Sequence, residues 1–450
     1  MKITVIGAGS TYTPGLVLRW LETKRAVIPL SELCLYDVNG ERLAILSRFI
    51  EGMLGKEAPE VKVTSTTDRK RAIEGASFVI FQMRVGLNAQ RLIDEHLCVK
   101  HGFVGQETTG PAGFALALRQ VPVGVEIAQD VARYSPEAWI VSVANPAGLL
   151  AEALIKYGHK KSVGMCHGGI WVRENLARLL GVEPQDRVDF DYLGLNHLSW
   201  ISNVYVDGRL LPAERVRDLA AALYEEWNRF EVNLTPEFAR DFCPPFSMHH
   251  YMTHFFFHNE SLNDMREKGA TRADAVVEIE RQCLEYYRAE AGKKFTPPAV
   301  LAKRGGVIEE KGRKDYGAIG YSDGCLGIIE ALLRSSPPEK MVVNVLNEGS
   351  ISDLPDDASV EVSAYVDNRG IHRLALGALP IEVRGQVHAV KAYETMTVEA
   401  ALSGDRKRAL QALLSNPICH LRYQDTKRLL DELLEANRQF LPRFFGSERL

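Results

Sequence analysis

The stretch KITVIGAGSTYTPG, residues 2–15, decides how the rest of the chain is read. Five β-prone residues run straight into Gly7-Ala8-Gly9, and Thr13-Pro14 then opens a helical pattern. Two glycines let the backbone turn tightly and approach a pyrophosphate, while the helix N-terminus behind them offers unpaired N–H groups and a positive dipole end. Thr13 is expected to cap that helix and Pro14 to occupy its first position. The third glycine of a GxGxxG fingerprint is absent, because Tyr12 stands in its place. The next strand candidate, ELCLYD, ends on Asp37, whose carboxylate would accept hydrogen bonds from a ribose diol and repel a 2′-phosphate. NAD is therefore favoured over NADP, with contacts expected at Gly7, Gly9, Ser10, Thr11 and Asp37.

Further along, short β-rich runs (VKVTST, SFVIFQM, AWIVSVAN, KSVGMC) alternate with helical patterns such as GERLAILSRFIEGML, FALALRQVPVGVEIAQDVARY and LLAEALIKYG. Nearly all-apolar strands interleaved with helices read as an α/β fold, a doubly wound parallel sheet of the Rossmann type. Beyond Cys166 the pattern loosens into a hairpin, HLSWISNVYVDGRLL, turning at Asp207-Gly208. Helical stretches follow over 213–229 and 272–289, then a strand set (MVVNVLN, VEVSAYV, HRLALGALP) and terminal helices. The expected division is a nucleotide-binding domain, 1–165, and a C-terminal α+β domain, 166–450, with the site in the cleft between them.

Composition excludes other classes. The 450 residues are 46% hydrophobic and 25% charged, with net charge −4 and no long basic run, so neither nucleic acid nor an anionic membrane is expected as a partner. No apolar run reaches the roughly 18–20 residues of a membrane span, and the N-terminus does not read as a secretory leader. Seven scattered cysteines without a CxxC pair fit a reducing cytoplasm, with all but Cys166 read as packing residues, Cys243 beside the 244–252 segment being the one exception.

VGMCHGG carries Cys166 and His167 at the end of a strand, and GLNHLSW carries His197 about thirty residues on. A thiolate and an imidazole suit a soft or borderline metal, zinc if judged on the pair alone; a buried free cysteine beside a hydrogen-bonded histidine is the alternative. These residues belong to a longer pattern. With GAGSTYTPG, MRVGLNAQR, GQETTGPAG, VANPAG, KRGG, NEGSISDLPDD and LLEANR, in order over the whole chain, the sequence resembles glycoside hydrolase family 4, most closely its 6-phospho-β-glucosidase branch.

The resemblance implies a lactate/malate-dehydrogenase-like fold, NAD, Mn2+ or another divalent metal, and a homo-dimer or homo-tetramer. It puts metal ligands on Cys166 and His197 and substrate contacts on Arg91, Asn145 and Arg272, with Arg84 as the candidate phosphate binder. The implied chemistry is oxidation at C3 of the sugar, deprotonation at C2 and elimination at C1. It is an exception to the two-carboxylate scheme of most glycosidases. Two positions depart from the family. His167 stands where phospho-β members usually carry asparagine, and it would assist the leaving group or bind a hydroxyl. The preferred register puts Phe246 at the family's basic tyrosine, so either the register is shifted or Tyr251, His249 or His250 takes over, with Tyr251 the chosen candidate base. Other expectations are 6-phospho-α-glucosides or unphosphorylated glycosides and uronides as substrates. Outside the family stand a 2-hydroxy-acid dehydrogenase and a non-catalytic NAD or sugar sensor.

Overall fold

Six parallel strands form the frame on which the site is built: β1 (Lys2–Ile6), β2 (Glu32–Tyr36), β3 (Lys62–Thr66), β4 (Phe78–Phe81), β5 (Trp139–Ser142) and β6 (Ser162–Gly164), in the order β3-β2-β1-β4-β5-β6. The computed structural model describes residues 1–228, 233–243, 245–247, 249–291, 317–335, 337–419 and 423–446; the KRGG motif at 303–306 lies outside them. β4 is buried along its whole length, as expected of a central strand with helices on both faces. β3, at the sheet edge, reads KVTST and is partly exposed, which suits an edge open to water.

A second, antiparallel sheet joins β7 (Val188–Leu195), β8 (Leu198–Val206) and β9 (Arg209–Leu210). The expected turn is present, with Val206 paired to Arg209 and Asp207 and Gly208 both at positive φ (50° and 74°). The longer pairing of β8, however, is with β7, across a two-residue turn made by Asn196 and His197. β10 (Glu339–Leu346), β11 (Ser359–Asp367) and β12 (Gly370–Arg373) then extend the first sheet beyond β6, antiparallel, through Asn344 opposite Gly164. One nine-stranded sheet therefore holds residues from both sides of position 165. Among the described residues, no helix is long and apolar enough to cross a membrane.

Two local expectations are corrected, and one helix was missed. Thr13 does not cap the first helix: the helix Thr13–Arg19 starts on it, and its hydroxyl donates to the Ala8 carbonyl (3.0 Å) and accepts from Gln82 Nε2 (2.5 Å), closing the glycine loop on itself. Of HRLALGALP, only His372 and Arg373 lie in a strand, since the chain turns at Gly377 with φ +83°. The helix Leu87–Lys100 went unrecognised because its buried face is polar: Asn88, Gln90, Arg91, Asp94 and Glu95 point inward. Their partners come from afar. Asp94 receives Arg119 Nη1 (2.7 Å) and Asn437 Nδ2 (2.8 Å), so the LLEANR segment is tied to the middle of the nucleotide half.

Candidate active site

The carboxyl ends of the parallel strands bring the site residues together, as the crossover geometry of such sheets requires. After β1, the N–H groups of Gly7 and Ala8 both donate to the Tyr36 carbonyl at 2.9 Å, which folds the loop over β2. Gly7 has φ +84°, and a Cβ there would lie 2.6 Å from the Met83 Cα, so only glycine fits. Gly9 N–H donates to Asp37 Oδ2 (2.8 Å), and a Cβ on Gly9 would meet that oxygen at the same distance. Oδ1 of Asp37 accepts Asn39 N–H (2.8 Å). Arg42, which also lines this end of the site, is committed to the Gly9 carbonyl (3.0 Å) and Glu280 (2.7 Å). It is thus not free to attract a 2′-phosphate.

These groups face a cavity of about 630 Å³, within the range of small-molecule sites. Gly7, Gly9, Ser10, Thr11 and Asp37, the five expected cofactor positions, all line it. So do Arg84, Arg91 and Asn145, which follow β4, sit on the helix after it, and follow β5. A backbone cradle with no room for a Cβ, a helix N-terminus and a carboxylate at the end of β2 fit a dinucleotide without a 2′-phosphate.

At the far end of the cavity, Arg84 pairs with Glu107 and Arg91 Nη1 reaches the same oxygen at 3.1 Å. Arg91 Nε is held by Glu95 (2.7 Å). Burial raises the Glu107 carboxyl, but Arg84 and Arg91 outweigh it, with a hydrogen bond from Asn145 besides, and hold it at about 2. Burial opposes the charge on Arg91, yet Glu107 and Glu95 keep it firmly protonated. Arg84 Nη1 is buried, and this guanidinium nitrogen is left without a protein partner among the described residues. Sequence reading missed Glu107, although it is the sole ionisable residue of GQETTGPAG.

Beyond β6, Cys166 Sγ lies 3.8 Å from His197 Nε2, and both residues are buried. Two ligands on bonds of 2.0–2.3 Å at a tetrahedral angle stand about 3.6 Å apart, so the pair fits a shared cation. Burial, and then His249, His250 and His254, push the His197 imidazole well below its ordinary value, which keeps it in the unprotonated form a metal requires. Burial and then Glu361 push the Cys166 thiol up to about 12, opposed by hydrogen bonds from Gly168 N–H, Asn196 and Tyr321. His197 has φ +66°, a left-handed conformation imposed by the tight β7–β8 turn.

Tyr251 stacks on the His197 ring (centroids 3.5 Å apart, planes at 12°). Phe246 is 2% exposed, and its carbonyl accepts the Ile201 N–H of β8 (2.8 Å), so it is a core residue that docks this segment on the second sheet. His167 lies 6.1 Å, ring to ring, from Tyr321. Tyr321 also lines the dinucleotide cavity and reaches the Cys166 sulfur, joining the two halves of the site; it sits in an apolar helix and carried no sequence signal. Arg272 is not brought in: it is exposed at the start of the helix Arg272–Glu290 and does not line the cavity. Its neighbour Ala273 donates to Glu95 (3.0 Å), the partner of Arg91. All seven cysteines are buried and free of disulfides.

Comparison with known proteins agrees with this geometry. The family 4 glycosyl hydrolase model matches residues 2–182, and the model of the family's C-terminal domain matches 192–419. The chain is 35% identical to a probable 6-phospho-beta-glucosidase of Bacillus subtilis over 99% of this chain and 98% of that one. Its structure resembles a Thermotoga maritima 6-phospho-beta glucosidase with manganese, NAD+ and glucose-6-phosphate (TM-score 0.83, 32% identity, 98% and 99% of the two chains covered). A 6-phospho-alpha-glucosidase from gut microorganisms, in complex with NAD and Mn2+, is similar too (TM-score 0.85, 25% identity, 98% of each chain covered). A lactate dehydrogenase from a deep-sea metagenome library shares the fold alone (TM-score 0.52, 14% identity). With both halves matched and the likeness running from end to end, the chain belongs to glycoside hydrolase family 4.

Proposed function

We propose that the protein is a 6-phospho-β-glucosidase that works with NAD+ and a divalent metal, Mn2+ first among them. The observation that carries this reading is the meeting, at the carboxyl ends of β1, β4, β5 and β6, of a dinucleotide cradle, an arginine with an unused edge and a Cys–His pair. When bound, NAD+ would accept hydride from C3 of the sugar and return it, and a cation held by Cys166 and His197 would act as Lewis acid toward the sugar oxygens. Tyr251, stacked on His197, is suited to take the C2 proton. Asn145 orients a sugar hydroxyl, and Arg84 engages the 6-phosphate through the guanidinium edge that Glu107 leaves open. Arg91 holds Glu107 in place for both. His167 assists the leaving group or binds a hydroxyl.

The names of the relatives and of the Thermotoga maritima structure support a phosphorylated β-glucoside. His167 favours a second reading, an unphosphorylated glycoside, because the family resemblance puts histidine at this position in several members that act on unphosphorylated sugars. One panel decides: aryl α- and β-glucosides with and without 6-phosphate, assayed with NAD+, Mn2+ and a thiol reductant. Preferred cleavage of the 6-phospho-β substrate, abolished by EDTA and restored by Mn2+, is expected. Equal turnover of the plain glucoside refutes the phosphate assignment. Cleavage without NAD+ or metal refutes the mechanism.

A further inference from the structure

β11 carries Glu361 into the interior, 1% exposed, behind the Cys166–His197 pair. Its Oε1 accepts the side-chain amides of Asn196 (2.9 Å) and Asn344 (3.0 Å), and its Oε2 accepts the Tyr192 hydroxyl (2.9 Å). The two amides donate to Oε1, and a carboxylate, an acceptor at both oxygens, satisfies all three partners, although burial pushes the Glu361 carboxyl up. Asn196 immediately precedes His197 in the β7–β8 turn, and its side chain also reaches the Cys166 sulfur. The Tyr192 hydroxyl accepts from Ser199 Oγ (2.5 Å) and is paired with His249 Nε2. His249 packs so closely on the loop after Cys166 that a Cβ on Gly168 would lie 2.1 Å from its Cε1. It also stands two residues before Tyr251. One carboxylate thus ties together the three segments that bear Cys166, His197 and Tyr251. Glu361 and these hydrogen-bond partners do not line the dinucleotide cavity.

We propose that Glu361 is the positioning residue of the metal site: through Asn196 on one oxygen and Tyr192 on the other, it holds both ligand-bearing loops in register for a cation. The inference rests on the metal-dependent reading above. Outer partners of this kind typically govern metal affinity by about 10–100-fold.

The test is Mn2+ binding by the full-length, metal-stripped protein, followed by the loss of the free Mn2+ EPR signal, with NAD+ binding measured alongside. Glu361→Gln keeps the side-chain volume but sets an amide donor against groups that themselves donate. It should weaken Mn2+ binding about 10–100-fold while NAD+ affinity stays within twofold. Tyr192→Phe removes the hydroxyl that links Glu361 to His249, and the Ser199 contact with it, but leaves the Asn196 arm intact, so it should cost less, but measurably. Mn2+ affinity in Glu361→Gln within twofold of the wild type overturns the proposal. If that variant loses NAD+ binding as well, and so its fold, Tyr192→Phe decides, and unchanged Mn2+ affinity there overturns it. Wild-type protein that binds NAD+ but no Mn2+ refutes the metal-dependent reading itself.

Discussion

Replacing Glu107 by glutamine isolates one charge at the centre of the site. The substitution keeps the shape but leaves Arg84 and Arg91, which share Glu107 Oε2, without their common counter-ion; only Glu95 remains, on Arg91. A carboxyl held at about 2 against an ordinary 4.5 corresponds to about 3 kcal/mol of stability at neutral pH. Removing one partner of a buried ion pair typically costs about 3–5 kcal/mol, so the two routes agree on a loss of about 3–4 kcal/mol. The sign follows from the direction of the shift. Because the folded-state value is depressed, this contribution is fully present above about pH 4.5 and is lost as pH falls toward 2, whereas glutamine does not titrate. Urea unfolding of wild type and variant between pH 8 and pH 3 reads the difference directly. The gap should be constant from pH 8 to about pH 5 and close below that. A gap under about 1 kcal/mol at pH 7, or one that does not narrow on acidification, would falsify the claim that Glu107 carries the charge balance of the two arginines.

Arg84→Ala should raise KM for a 6-phosphorylated aryl glucoside by about 10–100-fold, the worth of a charge-assisted bidentate contact, and leave any plain glucoside unaffected. Equal losses on both substrates would show that Arg84 does not meet the phosphate. Tyr251→Phe should lower kcat by about 10²–10⁴-fold with NAD+ and Mn2+ binding intact, the range for loss of a general base. Near-normal turnover would remove Tyr251 from that role and turn attention to the neighbouring histidines. Gly9→Ala introduces a methyl 2.8 Å from Asp37 Oδ2 and displaces the carboxylate that the Gly9 N–H orients. NAD+ affinity, measured by nucleotide fluorescence, should fall at least tenfold, and an unchanged value would mean that Asp37 is not at the ribose.

Much of this was legible in the residues, and for local reasons. Apolar strands alternating with helical periods, broken by Gly7 and Gly9, specify a parallel sheet and a phosphate-sized turn, because each is a property of a few consecutive residues. Asp207-Gly208 specified its turn in the same way, both residues sitting at positive φ. The helix Leu87–Lys100 escaped because hydrophobic periodicity cannot reveal a face buried through ion pairs and amides whose partners, Arg119 and Asn437, lie far along the chain. The longer hairpin escaped in part because its turn is Asn196-His197, a pair that reads as chemistry before it reads as geometry.

From the sequence alone came the fold class, the dinucleotide turn, the Cys166 and His197 candidates and, through resemblance, the family. Only the tertiary structure decided what meets what. It brought Cys166 to 3.8 Å from His197, stacked Tyr251 on that histidine and withdrew Phe246 into the core. It also joined Arg84 and Arg91 through Glu107, left Arg272 exposed and set Glu361 behind Cys166 and His197. The physical reason is one of range. Backbone turns and amphipathic periods are set by neighbours in the chain, whereas charge balance and ligand distance are set by groups that become neighbours only when the strands align.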